Sequence, residues 1–179
     1  MSSPNCPIPS TINPLSPTGF RLSINKLPEV SYFCQEASIP GMSLDPVPTG
    51  TPYSTLYNAG EILSFNELTV FFIVDQNMAN YKAIHNWLIG LGFPDNYDQY
   101  RDLVADSNAG GIPKFGDQQG NFSDGLLEIL GGNNLAVATI NFRDLVPVAI
   151  STLTFKSDVD DVQYLTGSAS FKYTYYDFV

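Results

Sequence analysis

The chain has 179 residues but a single histidine, His85, two positions before its only tryptophan, Trp87. A zinc centre or a serine–histidine–aspartate device needs an imidazole in company, with further His or Cys ligands or with a nucleophile and an orienting acid. Neither a Gly-x-Ser-x-Gly turn nor a cysteine–histidine motif accompanies it, so His85 is expected at the border of a packed helix. Asp106-Ser107-Asn108-Ala109-Gly110-Gly111 has the opening spacing of a calcium loop, but Gly110 and Asp117 occupy the fifth and twelfth positions, where an oxygen ligand and a glutamate are needed. A glycine-rich turn is expected there instead. Asp158, Asp160 and Asp161 form another acidic cluster, expected as a solvated turn, and no pair of carboxylates stands out for acid–base work. In Gly110-Gly111-Ile112-Pro113-Lys114-Phe115-Gly116 a proline precedes the lysine and no Ser or Thr follows it, unlike a phosphate-binding loop. The sequence predicts no catalytic residue, no cofactor-binding residue and no metal ligand. It reads as a protein that is not an enzyme.

Charge bounds the partners. Eight basic residues against eighteen acidic ones give a formal net charge of -10. A protein gripping nucleic acid by its phosphates needs a basic stripe, and none is present; an anionic membrane surface is an equally poor partner. The aromatic stripe at the C-terminus has only Lys172 near it, so packing is expected there rather than base stacking. Cys6 and Cys34 are expected as reduced thiols. Met1 to Pro7 has neither a basic region nor an apolar one, so no signal peptide is expected and synthesis in the cytoplasm is. No apolar run approaches the ~20 residues that span a bilayer.

The positioning elements follow from composition and period. A hydrophobic fraction of 44% with 15% charged residues marks a globular chain long enough for one domain with a real core. Aromatics at 13% favour strands, and 14 Gly with 13 Pro favour turns over long helices. Residues 1–18 carry five prolines and are expected as an extended arm; residues 19–179 form the single β domain. Strands are predicted at Phe20–Ile24, Val30–Ala37 and Leu68–Val74, the last nearly continuous in apolar residues and so expected to be covered on both faces. Residues 42–60, rich in proline, suggest an irregular segment or a hairpin reaching outside the core. Tyr81, Ile84, Trp87, Leu88 and Leu91 recur at three- and four-residue steps, predicting one amphipathic helix over about 77–91 with Asp75 or Asn77 as its cap. Residues 94–125 read as a long acidic loop with one helical turn near Tyr97–Val104. Gly131-Gly132-Asn133-Asn134 between apolar runs signals a hairpin. A kink at Arg143–Pro147, a strand at Ala149–Phe155, an acidic turn at Lys156–Asp161 and a final strand over about 166–178 complete the chain. The fold class expected is mainly β, an antiparallel sandwich or partly closed barrel.

This order of elements resembles the tube-forming subunits of contractile phage tails. The resemblance rests on Tyr32-Phe33-Cys34-Gln35-Glu36-Ala37-Ser38-Ile39-Pro40-Gly41, on Ala59-Gly60 ahead of the Leu68–Asp75 run, on the Asn80–Trp87 helix, and on the stretches Phe142–Pro147 and Phe171–Tyr175. It spans about residues 20–178, with short motifs. The Pro-rich leader and the acidic segment 94–125 depart from it. It implies homohexameric rings that stack into a tube with an acidic lumen, through which DNA passes without specific binding. Sheath, baseplate and tape-measure proteins are the implied partners, and the virion tail, assembled in the host cytoplasm, the implied location. A specialised baseplate initiator or tube-end ring is the alternative within the same resemblance. From another class comes a carbohydrate-binding sandwich gripping sugar through the Asp- and Tyr-rich segment 94–125.

Overall fold

The computed structural model of the protein describes residues 14–107, 121–157 and 164–179. Two antiparallel sheets share one long strand. In the first, β1 (Phe20–Ile24) pairs with β8 (Ser123–Leu130), β8 with the leading part of β9 (Ala136–Ile150), and β9 with β11 (Tyr175–Phe178). In the second, the trailing part of β9 pairs with β10 (Thr166–Lys172), β10 with β7 (Leu68–Ile73), and β7 with β2 (Cys34–Ala37). The protein is mainly β, antiparallel, and not closed into a barrel.

The bend that carries β9 between sheets lies at the predicted kink. Asp144 takes a left-handed conformation, φ 57°, Pro147 has no N–H to give a ladder, and β10 shifts register opposite it, between Ser170 and Phe171. Gly125 accommodates the turn-over: a Cβ there would meet Leu145 Cδ1 at 2.4 Å. The kink is therefore a bend within a strand that ends at Ile150, not a break before a strand running to Phe155. The final strand divides in the same way. Tyr173 and Thr174 separate β10 from β11, so Ala169 and Phe171 are buried while Tyr175 turns outward and Tyr176 turns in.

Alternation buries one face of each sheet. Leu22, Leu127 and Ile140 are register partners across the first sheet, and Leu68, Val70 and Phe72 face the core from the second with Ala169 and Phe171. The β7 run was expected to be covered on both faces; Phe71, on its other face, is 41% exposed in this subunit. α2 (Ala79–Gly92) lays Ile84 and Trp87 into the core, with Tyr81, Leu88 and Leu91 partly buried beside them. Its start is fixed by neither expected cap. Buried Asn80 accepts from the Asp75 and Tyr81 amides and donates to Ile73 O, while Met78 takes the left-handed turn into the helix.

Two further helices flank α2. Where a strand from Val30 was expected, α1 (Pro28–Tyr32) forms, because Pro28 suits a first helical turn and Ser31 Oγ closes back on Leu27 O. Val30 is buried all the same, which explains its strand-like pattern. Within the segment expected as a loop over 94–125, α3 (Asp98–Ser107) runs for ten residues and β8 begins at Ser123. Gly90 lets α3 approach, since a Cβ there would meet Leu103 Cβ at 2.8 Å.

Candidate assembly surface

Between β2 and β7 the chain leaves the body as a ribbon. β3 (Met42–Leu44) pairs with β6 (Leu63–Phe65), and farther out β4 (Val47–Gly50) pairs with β5 (Thr55–Asn58). Register decides its chemistry, because directly paired residues share a face. Met42 opposes Phe65 and Leu44 opposes Leu63, whereas Ser43 opposes Ser64 on the reverse side. Near the body the ribbon is thus apolar on one face and hydroxylated on the other. Beyond it, Val47 and Leu56 lie on one face and Pro48 and Tyr57 on the other.

Among the described residues nothing covers the apolar face past its root. Met42 is 53% exposed, and Leu44 and Leu63 are 47% exposed each, while Phe65 packs on Tyr173 and Tyr176 of the body. The ribbon's sequence from Gly41 to Asn66 holds two acids, Asp45 and Glu61, and no base, so it offers apolar surface and two carboxylates but no cation. Its two ladders join at a crowded point where Gly60 lies against the Asp45 carbonyl; a Cβ there would sit 1.7 Å from that oxygen. The hairpin suggested for residues 42–60 is real, and longer. Sequence reasoning missed its facing: the pairs Met42/Phe65 and Leu44/Leu63 span a segment too broken by proline for the alternation to be read.

Three strands offer further attachment. Among the described residues β1, β11 and β2 each pair on one side only, leaving backbone groups that another strand can meet. β2 is short, and its register shifts between Cys34 and Glu36. Burial pushes the Cys34 thiol up to about 11, so it is a poor nucleophile at neutral pH. Cys6 lies outside the described residues.

His85 is exposed on α2. Residues 108–117 of the calcium-like and glycine-rich stretches, and Asp158, Asp160 and Asp161, lie outside the described residues. Among the described residues no three His, Cys, Asp or Glu side chains gather as a metal site. An open cleft of about 980 Å³ between α2, α3 and the β1–α1 turn is lined by Lys26, Asn86, Trp87, Gln99 and Asp102; Lys26 Nζ stands 5.1 Å from the Trp87 ring centroid. Ser123 and Asp124 line it as well; the Ser123 hydroxyl accepts from the Lys26 amide and donates to the Asp124 carbonyl, so it is held by backbone groups. Phe93, Tyr97 and Tyr100 form an aromatic group at the start of α3, where the sequence predicts a loop from Pro94 with one helical turn near Tyr97–Val104. No described helix is long and apolar enough to cross a membrane.

No protein-family model matches the chain, and no curated protein matches it. Solved structures do. A chain of the anti-feeding prophage tube-terminating cap superposes with a TM-score of 0.61 at 9% identity, covering 99% of each chain. A chain of the anti-feeding prophage baseplate, solved with 6-fold symmetry, gives 0.58 at 12% identity over 94% of this chain and 97% of that one. A chain of the sheath–tube complex of an extracellular contractile injection system (PVC), in its extended state, gives 0.55 at 10% identity over 94% and 93%. The chain has the fold found in contractile injection-system tube, cap and baseplate assemblies. The three superpositions cover 93 to 99% of each chain.

Proposed function

We propose that the protein is a structural subunit of a phage contractile tail tube, built into hexameric rings that stack coaxially and enclose a passage for DNA. The observation that carries this reading is the ribbon's apolar face, which the chain extends away from its own core and which no described residue covers past its root. A second copy is the occupant we assign to it. The ribbon has no base to attract an acidic partner, and its apolar face continues outward from a packed aromatic contact at its root. The fold likeness to parts of a 6-fold symmetrised baseplate and of a sheath–tube complex supports sixfold rings, with sheath and baseplate proteins as neighbours and a tape-measure protein inside. The net charge of -10 suits a passage that repels phosphates and lets DNA slide. Catalysis has no place in this role.

The likeness to a tube-terminating cap supports a second version, a ring that starts or ends the tube. Electron microscopy of the purified protein separates the two. Long stacked tubes are expected of a repeating subunit, and single or paired rings of an initiating or terminal one. A strictly monomeric species at every concentration, with and without baseplate components, would defeat both.

A further inference from the structure

We propose that Phe65, Tyr173 and Tyr176 form a latch that fixes the direction of the ribbon, so that the C-terminal strand β11 governs how the ribbon meets a second copy. The second half of this statement rests on the assembly role proposed above; the first half does not.

A two-stranded ribbon in water is marginal by itself, and this one is built of two short ladders with a crowded junction between them. Its pose must be set at the root. The Asn66 amide donates to Gly41 O there, but that bond ties the ribbon's two strands to each other, not to the body. Ser38 extends the β2–β7 ladder through Thr69 O before the chain turns into the ribbon. The Lys172–Glu67 pair, at 3.4 Å, is half exposed on both sides and holds little.

Among the described residues, what remains is aromatic. The Phe65 ring centroid lies 5.8 Å from that of Tyr173 and 5.7 Å from that of Tyr176. Those two rings in turn pack on buried Phe142 at 5.2 and 5.6 Å, so one side of the latch is rooted in the core. Tyr176 adds the directional element: its hydroxyl donates to Pro40 O at 3.2 Å, joining β11 to the opposite leg of the ribbon across 136 positions of sequence. The two tyrosines differ in use. Tyr173 buries its hydroxyl with no hydrogen-bond partner among the described residues, so it serves through its ring, whereas Tyr176 serves through ring and hydroxyl.

The test uses the full chain with Cys6→Ser and Cys34→Ser, and with nitroxide labels at Tyr53→Cys on the ribbon tip and Lys82→Cys on α2. Pulsed electron spin resonance reads the tip-to-body distance distribution, thermal melting reports the fold, and sedimentation reports association. One narrow distribution is expected without further change. Phe65→Ala should broaden it and weaken association about tenfold at an unaltered melting profile of the body. Tyr176→Phe should act in the same direction by about fivefold, and Tyr173→Phe should leave the distribution as it was. A distribution as narrow in Phe65→Ala as in the parent overturns the latch. Broadening with undiminished association overturns the link from latch to assembly. A parent that never associates, while Phe65→Ala still broadens its distribution, refutes the assembly role and leaves the latch supported.

Discussion

The body and the ribbon use the same kind of residue in opposite ways. In the body, each apolar row meets another row of the same chain: Leu22 with Leu127 and Ile140, Val70 with Ala169, Ile84 and Trp87 of α2 with the sheets beneath. In the ribbon, Met42, Leu44 and Leu63 make an equally regular row that stays about half exposed among the described residues. The difference teaches where folding ends and assembly begins. Apolar surface removed from water within the chain stabilises the fold; apolar surface held out on a ribbon away from the core adds little to the fold and much to association.

Substitutions should separate the two regions, and the largest effect belongs to the body. Phe142→Ala empties a fully buried site beneath the aromatic latch and should cost about 3–5 kcal/mol in urea unfolding, enough to unfold a large share of the protein. Asn80→Ala strands the Asp75 amide and the Ile73 carbonyl at the start of α2 and should cost about 1–3 kcal/mol by the same measurement. A cost near that of a surface change would mean α2 is anchored elsewhere.

Alkaline titration probes the seam between the regions. Burial, and then the neighbouring Tyr176, push the Tyr173 hydroxyl up to about 12, above the ~10 of an unfolded tyrosine. The folded chain therefore keeps its proton where the unfolded chain loses it. The contribution is intact below pH ~10 and declines through about pH 12. Tyr173→Phe should flatten that decline, measured as melting temperature against pH, and should leave neutral-pH stability nearly unchanged. The smallest effect on folding belongs to the ribbon: Leu44→Ser should shift unfolding by no more than about 0.5 kcal/mol.

Much of the body was legible because local signals and tertiary packing agree there. Phe20–Ile24 alternates and pairs as read, and Gly131–Asn134 turns β8 into β9. The helical stripe from Tyr81 to Leu91 is the buried face of α2. Failures came where tertiary contacts decide. Val30 is buried from a helix that Pro28 starts, not from a strand. No local period marks Gly90 as the close contact with α3, and Asn80, the organiser of the helix start, looks like any polar helical residue. The ribbon was legible only as an excursion. Pairing across nearly twenty residues of sequence leaves no short-range period, and Tyr176 reaching Pro40 leaves none at all.

The central claim is that the ribbon's apolar face is a contact between copies, and the most direct measurement compares the parent protein with a Met42→Ser, Leu44→Ser, Leu63→Ser variant by sedimentation velocity. The account predicts ring-sized species for the parent and monomers for the variant, with superimposable circular dichroism melts. Ring-sized species in both would contradict it.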